Sequence, residues 1–284
     1  VQTCALPICP RIHALRAHHS TVEVADILGG GASHAAGSHW QRSAHGAGGA
    51  SAIASTPICG GRKGQVGRYF DGGYIMLDRF EDVRAAYSLG INDDVSWDMD
   101  LTRRGIPIFQ YDHTIEGLPE PHALFHWEPI CISGVADAKN NVETLERLVC
   151  KNGHDDADNL ILKCDIEGSE WLLLERTPGH ILKKFSQIVM EIHNMAFLKE
   201  YEHANNVRKA ISNLTAHHRV VHIHANNYAP WEVIGGIPVP AVLEVTLARK
   251  SDGELTPSDE VFPTPMDMPC NANAADLYLG RFDF

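Results

Sequence analysis

Along this chain the apolar positions switch repeatedly between period two and period three to four, which predicts alternating strands and helices. Ala85 to Leu89 reads as a strand, Gly90 as a tight turn and Val95 to Arg104 as a helix. Asp93 or Asp94 is placed to accept the free N–H groups of that helix, and Gly105 to end it. IPIFQYDH follows as a second strand ending in Asp112, and Ala123 to Ile132 as a third. Asn141 to Lys151 predicts an amphipathic helix with Val142, Leu145, Leu148 and Val149 on one face. Leu160 to Cys164 alternates too little for a half-wet strand and fits one buried on both faces. Glu175 to Lys184 reads as helix or loop interrupted by Pro178, Ser186 to His193 as a fifth strand, and Val207 to His217 as a helix. RVVHIHANN is a sixth strand, and a connection with Gly235, Gly236, Pro238 and Pro240 leads to VLEVTLAR, the seventh. Seven strands with helices between most of them place the chain in the α/β class.

Open α/β sheets bind their ligands beyond the carboxyl ends of the strands. Two such exits carry suitable residues. LILKCDIEGSEW runs from an apolar strand into Asp165, Glu167, Gly168 and Glu170, although Glu167 and Glu170 also suit plain capping of the next helix. At the other exit Asp112 follows Gly90 by 22 residues, close to the roughly 20 expected of a carboxylate that grips ribose hydroxyls. The second and third glycines of a dinucleotide fingerprint are missing, which disfavours a dehydrogenase. Asn92, Asp93 and Asp94 add negative charge where a pyrophosphate would lie. The loop therefore suits a nucleoside cofactor without phosphates.

DGGYIML (Asp71 to Leu77), AYSLGINDDVSWD (Ala86 to Asp98), QYDHTIEG (Gln110 to Gly117) and LKCDIEGSEW together resemble the FkbM-like and related S-adenosylmethionine-dependent methyltransferases. The resemblance spans roughly Gly67 to Arg249 and departs from the wider pattern in its lone Gly90. It implies a Rossmann-like seven-stranded methyltransferase sheet, mostly parallel with an antiparallel last strand and helices on both faces. It implies that Gly90 shapes the methionine pocket, Asp112 holds the ribose, and Asp165 lines the reaction pocket. Asp71, Gly72 and Tyr74 would belong to a cofactor-side loop, the competing reading being a plain turn feeding the strand at Tyr74.

Methyl transfer to a hydroxyl needs an in-line approach and removal of the hydroxyl proton, for which a neutral histidine is suited. Glu191 and His193 close the fifth strand, and His222, His224, Asn226 and Asn227 the sixth. His193 is the preferred base and His224 the second. A histidine hydrogen-bonded within the sheet competes for both, and is the preferred reading of His222. Asp165, Glu167, His193 and Asn226 are the rival set, able to hold Mg²⁺ or Mn²⁺ and orient a substrate hydroxyl. The expected activity is O-methylation of a small-molecule or sugar-like acceptor; the alternative is a Rossmann-like binding module without catalysis.

The 284 residues are 44% hydrophobic and 21% charged, ordinary for one large α/β domain. A formal net charge of −12 argues against nucleic acid as a partner. No stretch approaches the roughly 18 apolar residues of a membrane span. Seven cysteines lack paired CxxC spacing; Cys131, Cys150 and Cys164 fall in apolar runs and read as buried thiols. A cytoplasmic protein is expected, its oligomeric state open. VQTCALPI is what a sequencing-adapter tail encodes in frame, so residues 1–9 read as an assembly artefact. Residues 1–64 are expected to lack packed structure, His34, His39 and His45 included. The methyltransferase domain is expected over 65–250, and 251–284 as an extended arm anchored by Leu277, Tyr278 and Phe282.

Overall fold

A computed structural model of the protein describes residues 61–253 and 258–281. The adapter-like start, His34, His39, His45 and the anchor Phe282 lie outside the described residues.

The main sheet has seven strands: β3 (Ala85–Leu89), β4 (Ile108–Tyr111), β5 (Phe125–Glu128), β8 (Leu160–Cys164), β9 (Phe185–Ile192), β10 (His218–Ala225) and β13 (Leu243–Arg249). They lie in the order β10-β13-β9-β8-β3-β4-β5, and the short pairs of β6 (Cys131–Ile132) with β7 (Val142–Glu143) and of β11 (Trp231–Ile234) with β12 (Ile237–Pro240) lie outside it. The sheet is mixed. Four of its six pairings are parallel, and the two made by β13 are antiparallel. From β3 the chain first steps outward to β4 and β5, then crosses back to β8 and β9. The gap between β3 and β8 is therefore the switch point at which such sheets hold ligands.

Alternation divides the strand side chains between two faces. Tyr87, Leu89, Leu162, Cys164, Ile188 and Met190 join the larger core. It also takes in Leu148 of α2 (Leu145–Lys151), Leu173 of α3 (Glu170–Arg176), Leu182 of α4 (Gly179–Leu182) and Val207 of α5 (Tyr201–His217). Ala86, Ile161 and Val189 face the other way, toward Trp97 and Leu101 of α1 (Ser96–Thr102). Helices thus flank both faces. Val142 is not part of α2; it lies in a two-residue strand (β7, Val142–Glu143) because Thr144 caps the helix, its hydroxyl accepting from the Arg147 N–H.

The second face is completed by a β-hairpin. β1 (Lys63–Val66) pairs antiparallel with β2 (Tyr74–Leu77), outside the main sheet. The open edge of β2 would leave buried amides unpaired, and side chains rising from the sheet meet them. Gln187 of β9 accepts from the Leu77 N–H (2.9 Å) and donates to the Leu77 and Arg79 carbonyls, while the Thr246 hydroxyl donates to Ile75 O (2.7 Å). Asp71–Tyr74 is therefore the turn and start of a docked hairpin and does not lead into the main sheet.

The arm after β13 folds back across β10. Its strands β14 (Val261–Phe262) and β15 (Gly280–Arg281) pair antiparallel. Phe262 is fully buried and Leu279 packs on the core, whereas Tyr278 stands 71% exposed and anchors nothing. Of the thiols expected to be buried, Cys164 is, Cys131 is half-buried and Cys150 is exposed; Cys150 lies on the outer side of the amphipathic α2. Among the described residues, no helix is long and apolar enough to cross a membrane.

Gln187→Leu keeps the volume but strips the β2 edge of its partners. Orphaned buried amides cost roughly 1–3 kcal/mol each, so urea unfolding should show a loss of about 3 kcal/mol, with proteolysis first appearing in 61–80.

Candidate functional site

Strand register brings the acidic and histidine side chains to one level. Leu89 sits opposite Tyr111 and Cys164, and Cys164 opposite Met190. One step further out come Asp112, Gly90, Asp165 and Glu191. Glu191 pairs with Glu244, and Glu244 with His224. A single row crosses six strands, from Asp112 to His224.

At the switch point the exits of β3 and β8 touch. Gly90 has φ +80°, and a Cβ there would lie 1.7 Å from the Asp165 carbonyl oxygen. Gly90 O accepts from the ammonium of Lys163 (2.7 Å), a side chain buried in β8 and facing Asp98 of α1. Asp98 is itself buried, with Oδ1 held by Gln110 and the Ser88 hydroxyl beside the carboxyl group. Burial pushes its carboxyl up to about 6, against the pull of Lys163.

Asp112 spends its carboxylate on its own chain. One oxygen accepts from the N–H groups of Ile91 and Asn92, the other from the N–H and hydroxyl of Thr114. Burial works against its charge, but those bonds outweigh it and hold the carboxyl below the usual range. All of its roughly four acceptor sites are filled. Here it clamps the Gly90 loop, and a ribose hydroxyl would have to replace one of these donors.

The hairpin turn folds over the same place. Gly67 N–H donates to Asp100, Arg68 N–H to Ser96, and the Arg68 guanidinium pairs with Asp94 (3.4 Å). Gly72 has φ +87°, and a Cβ there would meet the Asp94 carboxylate at 2.2 Å unless that side chain moved. Asp71 and Tyr74 thereby come within electrostatic reach of Asp165 and Glu244, and Tyr74 also of Glu191. Burial first, then Glu244, raise the Asp71 carboxyl; burial first, then Asp165, raise the Tyr74 phenol. Glu191 is raised by burial and by Asp165, and it accepts from the Asn226 amide (2.6 Å).

His193 lies just past β9. Its Nδ1 is 3.2 Å from Glu170 Oε1 and its Nε2 3.6 Å from Glu167. The same Glu170 oxygen accepts from the N–H groups of Ile166 and Gly168, so this fully buried acid organises the β8–α3 loop and the histidine together. Burial lowers the imidazolium, but Glu170, Glu191 and Asp165 outweigh it and the pKa is raised. Asp165, Glu167 and His193 present ligand atoms within 4.8 Å of one another. Asn226 does not join them, being taken by Glu191. His224 is also apart: three strand spacings separate its strand from β8, about 14 Å at roughly 4.8 Å each. Both its nitrogens are engaged, by Glu244 (2.7 Å) and Asp276 (3.1 Å). His222 pairs with Asp267 (2.7 Å).

Sequence reasoning missed the partnership of Glu170 with His193 and the place of Glu244 in the row. Glu170 had a local signal, an acid in a first helical turn, which capping explained equally well. Glu244 alternates to the same face as Thr246 in an otherwise apolar strand, a signal that could have been used.

No family model matches the chain. Over 118 residues it is 26% identical to a probable methyltransferase-like protein 24 of Homo sapiens, a match covering 38% of this chain and about a third (32%) of that protein. Among solved structures it is similar to the N-terminal domain of EvdMO1, determined with SAH and D-fucose, at 11% identity and TM-score 0.32 over 60% of this chain and 77% of that one. It is also similar to an S-adenosylmethionine-dependent methyltransferase from Agrobacterium tumefaciens, at 12% identity and TM-score 0.29 over 59% and 56%. What stands is a weak sequence similarity to a methyltransferase-like protein.

Two outcomes follow from the switch point. Gly90→Ala should unfold the protein or cost more than about 4 kcal/mol in urea. Gly105→Ala, at the same φ but in open space, should cost only the left-handed strain of about 1–2 kcal/mol. Folded Asp98 keeps a proton between roughly pH 4 and 6 that the unfolded chain releases, so its contribution to stability is greatest below pH 4 and lost as pH rises through 6. At about 1.4 kcal/mol per unit this is near 3 kcal/mol. Asp98→Asn should flatten that part of the stability profile.

Proposed function

We propose that this chain is an S-adenosylmethionine-dependent methyltransferase acting on a hydroxyl oxygen of a small-molecule or sugar-like acceptor. The observation that carries the reading is the gathering of acidic side chains at the β3/β8 strand exits. Asp71, Asp165 and Glu191 form an acidic wall there, while Lys163 is turned onto Gly90 O and Arg68 onto Asp94. Such a wall rejects a pyrophosphate and favours a ligand carrying positive charge. The weak similarity to a methyltransferase-like protein points the same way.

S-adenosylmethionine, when bound, supplies an electrophilic methyl group on a positively charged sulfur. The chain's own residues bind and orient. Gly90, locked against Asp165, lets the backbone line the pocket, and Asp112 sets the loop over it. The carboxylates of Asp71 and Asp165 attract the cationic parts of the cofactor. His193 takes the acceptor's hydroxyl proton at Nε2, with Glu170 fixing the ring through Nδ1. In the raised state described above His193 must first lose its own proton, so the rate rises with pH.

A second reading uses the close grouping of Asp165, Glu167 and His193, two carboxylates and an imidazole able to orient a hydroxyl on Mg²⁺ or Mn²⁺ with waters completing the shell. The reading from another class is a binding module that keeps the cofactor site and transfers nothing.

Calorimetric titration should give micromolar binding of S-adenosylmethionine and S-adenosylhomocysteine, none of NAD, and loss of the first two in Asp165→Asn. A folded sample that binds neither overturns the methyltransferase reading. Once an acceptor is found, Glu170→Gln should move the rise in rate to lower pH, because the carboxylate that holds the His193 proton is gone. Activity abolished by a chelator and restored by Mg²⁺ would favour the metal set over the histidine.

A further inference from the structure

The row ends in a cluster that the proposed chemistry does not use. His224 of β10, Glu244 of β13 and Cys270 of the C-terminal arm are all buried. Their ligand atoms lie within 4.8 Å of one another. His224 Nδ1 is 2.7 Å from Glu244 Oε2, and the Cys270 sulfur is 3.4 Å from Glu244 Oε1 and 3.9 Å from His224 Nδ1. Donors around a tetrahedral zinc ion, bound at 2.0–2.3 Å, stand roughly 3.3–3.6 Å apart. The sulfur–nitrogen separation of 3.9 Å and the sulfur–Oε1 separation of 3.4 Å lie at or near that range, and the Glu244 carboxylate reaches both neighbours through its two oxygens.

Three further features separate this cluster from an ordinary buried hydrogen-bond network. The far nitrogen of His224 faces the Asp276 carboxylate with both oxygens at 3.1 Å, the outer-shell partner that orients a metal-binding imidazole. The thiol is a weak donor, a poor sole partner for a buried carboxylate oxygen. The negative charge is also in excess: Glu244, Asp267 and Asp276 lie about His224, with Glu191 and Asp71 beyond. A thiolate, an imidazole and a carboxylate together form a borderline-soft set that selects Zn²⁺ over Mg²⁺ or Ca²⁺.

We infer that His224 Nδ1, the Glu244 carboxylate and Cys270 Sγ bind a zinc ion that ties the C-terminal arm to the β10–β13 edge of the sheet. The fourth position faces the small cavity between arm and hairpin, lined by Phe70, Tyr74, His222, Met266 and Met268. Zinc replaces the proton shared by His224 and Glu244 and the proton of the Cys270 thiol, and both leave to solvent. The arm is prepared for this. Asn227 accepts from the Asn271 N–H and donates to the Asn271 and Ala275 carbonyls, holding the chain on both sides of the cysteine's neighbour. The inference does not depend on methyl transfer.

The test uses the tag-free chain dialysed against Zn²⁺. Elemental analysis should find about one tightly held zinc per chain, and X-ray absorption of the zinc-loaded protein should show one sulfur in the first shell. Co²⁺ in its place should give a thiolate charge-transfer band that Cys270→Ser loses and Cys150→Ser, a surface control, retains. A shell of nitrogen and oxygen alone, or a band unaltered in Cys270→Ser, overturns the site. The absorption measurement needs only the unmutated chain, so a variant that fails to fold does not protect the proposal.

Discussion

Where β3 and β8 leave the sheet, the backbone of Gly90 rests against the carbonyl of Asp165 with no space for a side chain. That contact sets the height at which the strand exits open. Lys163 grips the Gly90 carbonyl from below, and Asp112 takes the next two amides. A loop held at three successive residues has little freedom left, so whatever binds there meets a preformed floor. The hairpin turn adds the roof, since its glycines allow it to close on Asp94 and Ser96 without intervening side chains.

Above that floor the dominant fact is charge. Glu191 and Glu244 are register partners on neighbouring strands, an arrangement in which like charges oppose each other. The chain manages them by giving Glu191 the Asn226 amide and Glu244 the His224 ring. Burial by hairpin and arm sharpens the repulsion, because a drier site screens it less. The result is an edge in which each buried acid is held by an amide or an imidazole from the neighbouring strand.

The strands that build the switch point are legible in the sequence because β3, β4 and β8 are short, largely apolar runs that stop at Gly90, Asp112 and Asp165. The exits follow from them: Gly90, Asp112 and Asp165 all lie one residue beyond a strand end. What stays hidden depends on distant pairing. The sequence DGGYIML reads equally as a strand of the main sheet, and only Gln187 and Thr246, more than a hundred residues later, reveal that the hairpin lies on its face. His224 alternates correctly for a strand exit, yet nothing local shows Asp276 or Cys270 arriving beside it. Tyr278 looks like an anchor by its size alone, whereas Phe262 and Leu279 fill the space.

β13, the last strand of the sheet to emerge in chain order, lies between β9 and β10, both of which precede it. Until residues 243–249 leave the ribosome, each of those strands presents a bare hydrogen-bonding edge, and such edges recruit other chains. Gln187 and Thr246 make the first strands wait as well, since the hairpin can dock only once the strand bearing Thr246 is seated. The polypeptide is therefore obliged to finish from its end backward: an incomplete copy leaves a sheet open down its middle, and chains still in synthesis form the population most exposed to aggregation.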